Sequence, residues 1–301
     1  MIKSFDELLN IVESHPSKVV VVPGAHSKSV VEAAIEAKKL DLAEFLLIGE
    51  KEKIINYIDE IDNSFKNEFN IKDESDLQNA CILAVQSVNN GKAEIILKGK
   101  TDTSMLIRAV LDKEKGLRTG KLLSDVFVFE TEERLTIMSD GGVNLYPNLE
   151  EKIDIIENAV KVAHCLENPQ PKVALLSAVE TVNPNMPPTI DSAVIAKMSE
   201  RNQIKDCIID GPFALDNAIS EKSAKIKGIE STVAGKADIL IMPNIESGNI
   251  FGKALTYYAH LKVAHVVMGA KAPILITSRA DDAETKMLSI ALGIISSTFN
   301  I

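Results

Sequence analysis

The run Lys18-Val19-Val20-Val21-Val22, stopped by Pro23-Gly24, leads straight into a segment of helical period, and this alternation recurs along the chain. Short β-branched runs bounded by turn residues read as strands, and strands alternating with longer helical patterns read as βα units. Phe45-Leu46-Leu47-Ile48 closes at Gly49, and Ile95-Ile96-Leu97 is followed by Gly99. Further strands are predicted over 122–129, 134–139, 172–177, 207–210, 238–242 and 273–277. Most are too apolar to leave a face in water, so the expected fold class is α/β with mainly parallel sheet covered by helices. Residues 122–139 differ: two consecutive strands joined at Glu132-Glu133 predict an antiparallel hairpin.

The helices carry their own signals. Ser29, with Glu32 three residues later, has the pattern of a capping box after the first strand. Met287, Ile290, Ala291, Ile294 and Ile295 form an i, i+3, i+4, i+7, i+8 stripe, so the last helix must pack on the body of the protein. Trp is absent and aromatics make up 4%, which leaves Ile, Leu, Val, Ala and Met to build the core.

A chain of 301 residues is long for one domain and comfortable for two. Its 43 acids against 33 bases give a net charge of −10, the opposite of what a nucleic-acid phosphate backbone requires. The first residues have no apolar targeting core, and the longest apolar runs are far short of a membrane span. With three cysteines widely separated, a reducing cytoplasm is expected, with neither membrane nor nucleic acid as partner. No G-x-x-x-x-G-K-[ST] and no G-x-G-x-x-G after the first strand is present. The five histidines lack metal-ligand spacing, so no metal site is indicated. No nucleophile elbow offers a carrier for a covalent acyl-enzyme.

In parallel sheets, ligands bind where strand ends feed helix N-termini, so those loops bear the chemistry. After the 273–277 strand comes Ser278-Arg279-Ala280-Asp281-Asp282-Ala283-Glu284, at the entrance of the last helix. Arg279 offers bidentate geometry for phosphate, and Ser278 can donate to an oxyanion. The same loop also reads as an N-cap serine with Asp281 at N3 and a solvated arginine. Lys98-Gly99-Lys100-Thr101, with Arg108 on the following helix, suits a polyanion or an ordinary turn, and so does the basic turn around Arg118. Asn244, Gly248 and Asn249 follow the 238–242 strand, where glycine permits close ligand approach or simply a tight turn. His26, in the first strand-to-helix loop, is a weaker candidate for ligand contact.

Taken in order, these loops resemble the phosphate acetyl/butyryltransferase family. The pieces are Lys98-Gly99 with Arg108, Gly116 to Lys121, Asp140-Gly141-Gly142 with Asn144 and Tyr146-Pro147, Asp210-Gly211-Pro212, Pro243 to Glu246 with Gly248-Asn249, and Ser278 to Asp281. They cover nearly the whole chain, and its length and the Ser-Arg-Ala-Asp form resemble the butyryl branch. The resemblance implies two three-layer α/β domains with mainly parallel sheets and an interdomain cleft, an isocitrate/isopropylmalate dehydrogenase-like architecture. The expected division is 1–120 with 270–301, closed by the C-terminal helix, and 121–269. It further implies reversible transfer of a short acyl group between coenzyme A and inorganic phosphate. Coenzyme A is then a substrate, no cofactor is held tightly, and the chain is a homodimer or larger homo-oligomer. Ser278 and Arg279 would act in transition-state stabilisation and phosphate binding, with Arg108 as a substrate contact. Two departures stand out: the acetyl branch's catalytic acid falls on Thr285 here, and one upstream arginine has no counterpart.

The general base is accordingly open. A thiol of pKa about 8.5 is only a few per cent thiolate at neutral pH, so a positioned base matters. Asp281 and Glu284 are the candidates; helical geometry places Glu284 on the inward stripe with Met287 and Ala291, and Asp281 on its flank. Phosphate or coenzyme A contacts are expected from Lys98, Lys100, Thr101, Arg108, Arg118, Asn244, Gly248 and Asn249. Two rivals remain: a non-catalytic acyl-CoA-sensing module, and a metal- and NAD-dependent decarboxylating dehydrogenase suggested by Asp281-Asp282.

Overall fold

The computed structural model describes residues 1–278 and 281–298, and the chain divides into two compact α/β units. One contains Phe5–Lys121 and Val263–Ile301; the other contains Met1–Ser4 and Leu122–Lys262. The first unit opens with α1 (Phe5–Glu13), β1 (Lys18–Pro23), α2 (Lys28–Lys39), β2 (Ala43–Gly49) and α3 (Lys51–Asp62). It continues through β3 (Asn70–Asp73), α4 (Leu77–Asn89), β4 (Ile95–Leu97) and α5 (Thr103–Val110). The chain then builds the second unit from β5 (Ser124–Glu130), β6 (Leu135–Ser139), α6 (Leu149–Cys165), β7 (Lys172–Leu176) and α7 (Pro187–Glu200). That unit is completed by β8 (Ile208–Phe213), α8 (Leu215–Ile219), α9 (Glu221–Ile226), β9 (Ile239–Ile241) and α10 (Ile245–Tyr257). The return to the first unit supplies β10 (Val263–Met268), β11 (Ile274–Leu275) and α11 (Ala283–Thr298).

Strands of the first unit lie in the order β3-β2-β1-β4-β11-β10. All pair in parallel except β10, which runs antiparallel to β11. Val20, Val21 and Val22 are fully buried, as a strand covered on both faces requires. Two sets of helices do the covering. The first is α11 with α1, α2 and α3; the second is α4 with α5. The second unit has the order β5-β6-β9-β7-β8. Its β5–β6 pair is the expected antiparallel hairpin, closed by the Thr131 N–H donating to Arg134 O at 2.9 Å.

Two strands were not anticipated. β3 is largely exposed and holds one apolar residue, Ile71, so only its pairing with β2 makes it a strand. β10 is apolar, but its partner β11 is two residues long against the predicted 273–277, so the hairpin left little trace in the sequence. The capping box at Ser29 and Glu32 does not form. Helix α2 starts one turn position earlier, with Ser27 as N-cap and no side-chain cap bond. A capping box does form at α6, between Asn148 and Glu151.

The final helix packs through Ile290, Ala291, Ile294 and Ile295 as predicted, but Met287 is only half-buried and Leu288, Leu292 and Gly293 widen the buried face. Ile290→Ala removes a fully buried side chain and should cost roughly 2–5 kcal/mol of stability, read from denaturant unfolding.

Candidate functional site

In the first unit, β1, β4 and β11 are neighbours, and the loops leaving their carboxyl ends face one another. Their approach is set by backbone contacts. The Gly99 N–H donates to Pro23 O at 3.1 Å, and the Lys100 N–H donates to Gly24 O at 2.7 Å. On the other side, the Lys98 N–H donates to Leu275 O at 2.9 Å. A Cβ on Gly99 would sit 2.3 Å from Gly24 O, so no other residue fits without moving backbone. Gly24 itself has φ +71°, a conformation that favours glycine.

A cavity of about 390 Å³ opens among these loops. Ser27 and Ser29 line it from the N-terminus of α2, Lys98 to Asp102 from the end of β4, and Thr277, Ser278 and Lys286 from β11 and α11. Lys98 and Thr101 are buried, whereas Lys100 is exposed. The Thr101 hydroxyl lies 3.4 Å from the Cys81 Sγ, whose thiol pKa is pushed up by burial. The sequence-predicted residues Lys98, Lys100, Thr101 and Ser278 are therefore brought together.

Ser278 and Asp281 are joined by two hydrogen bonds. The Ser278 N–H donates to Asp281 Oδ2 at 2.6 Å, and the Asp281 N–H donates to Ser278 O at 3.3 Å. Asp282, rather than Ser278, takes the capping role: its carboxylate accepts the Thr285 N–H at 2.8 Å. Arg279 lies outside the described residues. Glu284 is exposed and does not line the cavity, contrary to its expected place on the inward stripe. α11 starts at Ala283, so Glu284 is in its first turn, and the side chain there that turns inward is Lys286.

Lys286 is the residue that sequence reasoning missed. It is 2% exposed, and its Nζ donates to the carbonyl oxygens of Asp281 and Asp282. Burial pushes its ammonium below the ordinary lysine range, against the opposing charges of Asp281, Asp282 and Glu32. A signal was present, since Lys286 is in helical register with the buried Ile290 and Gly293. Ser29 reads in the sequence only as a cap residue, and Ser27 carries no signal there.

Other predicted residues are placed elsewhere. Arg108, in the last turn of α5, is exposed and lines a separate hollow of about 360 Å³ with Gln78, Met105 and Lys115. Arg118 is exposed and bridges to Ala270 through backbone. His26 is buried, and its Nδ1 accepts the Glu50 N–H at 3.3 Å; burial lowers its pKa, with Lys100 and Lys53 adding to the effect and Glu50 opposing it.

In the second unit, Asn244 caps α10, accepting the Ser247 N–H at 3.0 Å. Asn249 Nδ2 donates to Gly141 O at 3.2 Å, and a Cβ on Gly248 would meet Asp140 O at 2.4 Å. These residues hold the loop after β9 against the loop after β6. Asp140 organises the latter: its carboxylate accepts the N–H groups of Gly142 at 2.7 Å and Val143 at 2.9 Å, and Asn144 Nδ2 at 2.6 Å. Burial pushes its pKa up to about 6, Asp125 adds to this, and the N–H donors oppose it. Among the described residues, no group of three His, Cys, Asp or Glu side chains converges to hold a metal ion. No described helix is long and apolar enough to cross a membrane.

Comparison with known proteins agrees with the loop pattern. Residues 72–294 match the family described as "Phosphate acetyl/butaryl transferase". A phosphate butyryltransferase of Clostridium acetobutylicum is 48% identical over 97% of this chain and 98% of its own length. A phosphate acetyltransferase of Thermotoga maritima is 45% identical over 92% and 94%. Among solved structures, a branched-chain phosphotransacylase from Enterococcus faecalis V583 superposes with a TM-score of 0.84 at 30% identity, covering 93% of this chain and 99% of that one.

Two outcomes follow from the geometry. Gly99→Ala, whose new methyl meets backbone rather than a movable side chain, should destabilise the protein by at least 1–3 kcal/mol in denaturant unfolding. The Asp140 carboxyl has a folded pKa raised from 3.8 to about 6, so its favourable contribution is complete below pH 3.8 and lost as pH rises through 6. Unfolding free energies of wild type and Asp140→Asn, compared from pH 4 to 7, should shift against wild type by up to about 3 kcal/mol.

Proposed function

This chain belongs to the phosphate acetyl/butaryl transferase family, and from that premise we propose that it transfers a short acyl group, butyryl or similar, reversibly between coenzyme A and inorganic phosphate. It is an acyltransferase, and coenzyme A enters as substrate. The observation that carries the reading is the cavity at the ends of β1, β4 and β11. There a serine hydroxyl, buried cationic side chains and the uncapped N-terminus of α2 surround one space. Helix N-termini and ammonium groups favour an anion, and phosphate is the anion this reaction needs.

In this scheme, the coenzyme A thiolate attacks the carbonyl carbon of the acyl phosphate. A new C–S bond forms, the C–O bond to phosphate breaks, and phosphate leaves with that electron pair. Ser278 donates to the oxyanion at the carbonyl oxygen, while Lys98 and Arg279 hold the phosphoryl oxygens. A carboxylate accepts the thiol proton. Neither Asp281 nor Glu284 lines the cavity, and Asp281 supports this role better because its carboxylate reaches the N–H of Ser278, which does. The butyryl rather than acetyl preference rests on similarity to the Clostridium protein.

The test is thiol release from acyl-CoAs of increasing length, with and without phosphate. Phosphate-dependent release, greatest with butyryl-CoA or a similar chain, is expected. Initial-rate lines should intersect when both substrates are varied; parallel lines would mean a covalent acyl-enzyme and overturn direct attack. Ser278→Ala should lower kcat about 10²-fold, the cost of one oxyanion donor.

A further inference from the structure

Lys286 presents an electrostatic problem that its own hydrogen bonds do not resolve. Its side chain is 2% exposed, yet both of its hydrogen bonds go to carbonyl oxygens, those of Asp281 and Asp282, rather than to a carboxylate. The nearby carboxylates direct hydrogen-bonded oxygens elsewhere: Asp281 Oδ2 accepts the Ser278 N–H, and Asp282 Oδ1 accepts the Thr285 N–H. Asp281, Asp282 and, on α2, Glu32 act on the ammonium through space without hydrogen-bonding to it. A buried ammonium without a hydrogen-bonded counter-ion is costly. Its position adds to the cost, because a cation in the first turn of a helix opposes the helix dipole.

The cavity that Lys286 lines is rich in cationic side chains. Among the described residues that line it are three lysines, Lys98, Lys100 and Lys286, and one aspartate, Asp102, and Lys98 is itself buried. An ammonium has three donors. Two are spent on the carbonyls of the 281–282 turn, which leaves one for whatever enters the cavity beside Ser278. A dianion with several acceptor oxygens satisfies that donor and balances the lysines at once.

We propose that Lys286 is a direct phosphate ligand of this cavity, binding inorganic phosphate, and the phosphoryl group of the acyl phosphate, together with Lys98. This rests on the proposed acyl transfer for its biological setting, though not for its binding chemistry. In that setting, the chain holds phosphate with a lysine four residues into its last helix. Carbonyl anchoring also explains the choice of residue: a lysine tethered at two points keeps its third N–H pointing in one direction, so little side-chain freedom is lost when phosphate binds.

The experiment measures phosphate binding by calorimetry, and phosphate and acyl-CoA KM by thiol release, in wild type, Lys286→Met and Lys286→Arg. Phosphate Kd and KM should rise at least tenfold in Lys286→Met, with acyl-CoA KM within about threefold of wild type, and Lys286→Arg should recover most of the phosphate affinity. A loss confined to kcat, with phosphate Kd unchanged, would mean that Lys286 only braces the turn, and the proposal would fall. If Lys286→Met does not fold, Lys286→Gln keeps a donor for the carbonyls while removing the charge, and the same readouts decide. The two readings separate cleanly. Phosphate binding that depends on Lys286 without phosphate-dependent thiol release would overturn the acyl transfer and leave the site standing. Normal thiol release with phosphate binding indifferent to Lys286 would do the reverse.

Discussion

The candidate site depends on a backbone contact that tolerates no side chain. Where the loop after β4 crosses the loop after β1, Gly99 and Gly24 meet closely enough for the Lys100 N–H to reach Gly24 O at 2.7 Å. That crossing fixes the direction in which Lys98, Lys100 and Thr101 leave the sheet. Backbone N–H and C=O groups at such a crossing must be paired, and here they pair with each other. The cost of ordering the loop is therefore met by scaffold contacts before any ligand arrives. Cavity-lining side chains can then be poised without being individually stable in that pose.

The same logic accounts for the opposite side of the cavity. Ser278 sits in a turn whose ends are tied by Asp281, whose continuation is capped by Asp282, and whose carbonyls are held by Lys286. The Asp281 and Asp282 carboxylates each satisfy a backbone N–H there, while the Lys286 ammonium holds the Asp281 carbonyl and shares the Asp282 carbonyl with its own backbone N–H. Burying the Lys286 ammonium among them is costly by itself. Its retention there, next to a second buried lysine, is understandable when the cavity's working state contains an anion. The loops of the second unit are braced in a comparable manner by Asp140 and by the glycine at 248, with a buried carboxylate in place of a buried ammonium.

Much of this was legible in the sequence. Strand runs ending in glycine or proline located most of the strands, because an apolar run of that length has nowhere to go except a covered sheet. The cationic and serine-bearing loops at their ends named Lys98, Lys100, Thr101 and Ser278, which do converge. The illegible parts share a cause. β3 exists through its pairing with β2, not its composition, and the Ser29–Glu32 pattern lost to a cap at Ser27. Glu284 followed the ideal helical stripe on paper, but at the first turn of α11 it is Lys286 that turns inward. Local pattern does not specify how a helix is rotated about its axis when its neighbours decide which face is covered.

Read alone, the order of residues determined the α/β class, the loops that carry polar chemistry and the family those loops resemble. Each depends on spacing along the chain, and hydrophobic period and turn chemistry are local properties. Tertiary structure alone decided that Lys98, Thr101, Ser278 and Lys286 share one cavity while Arg108 faces another hollow. It also decided that Asn244, Gly248 and Asn249 brace a neighbouring loop. Those outcomes turn on which strands become neighbours and how closely their backbones approach, and both are set by packing between segments far apart in sequence.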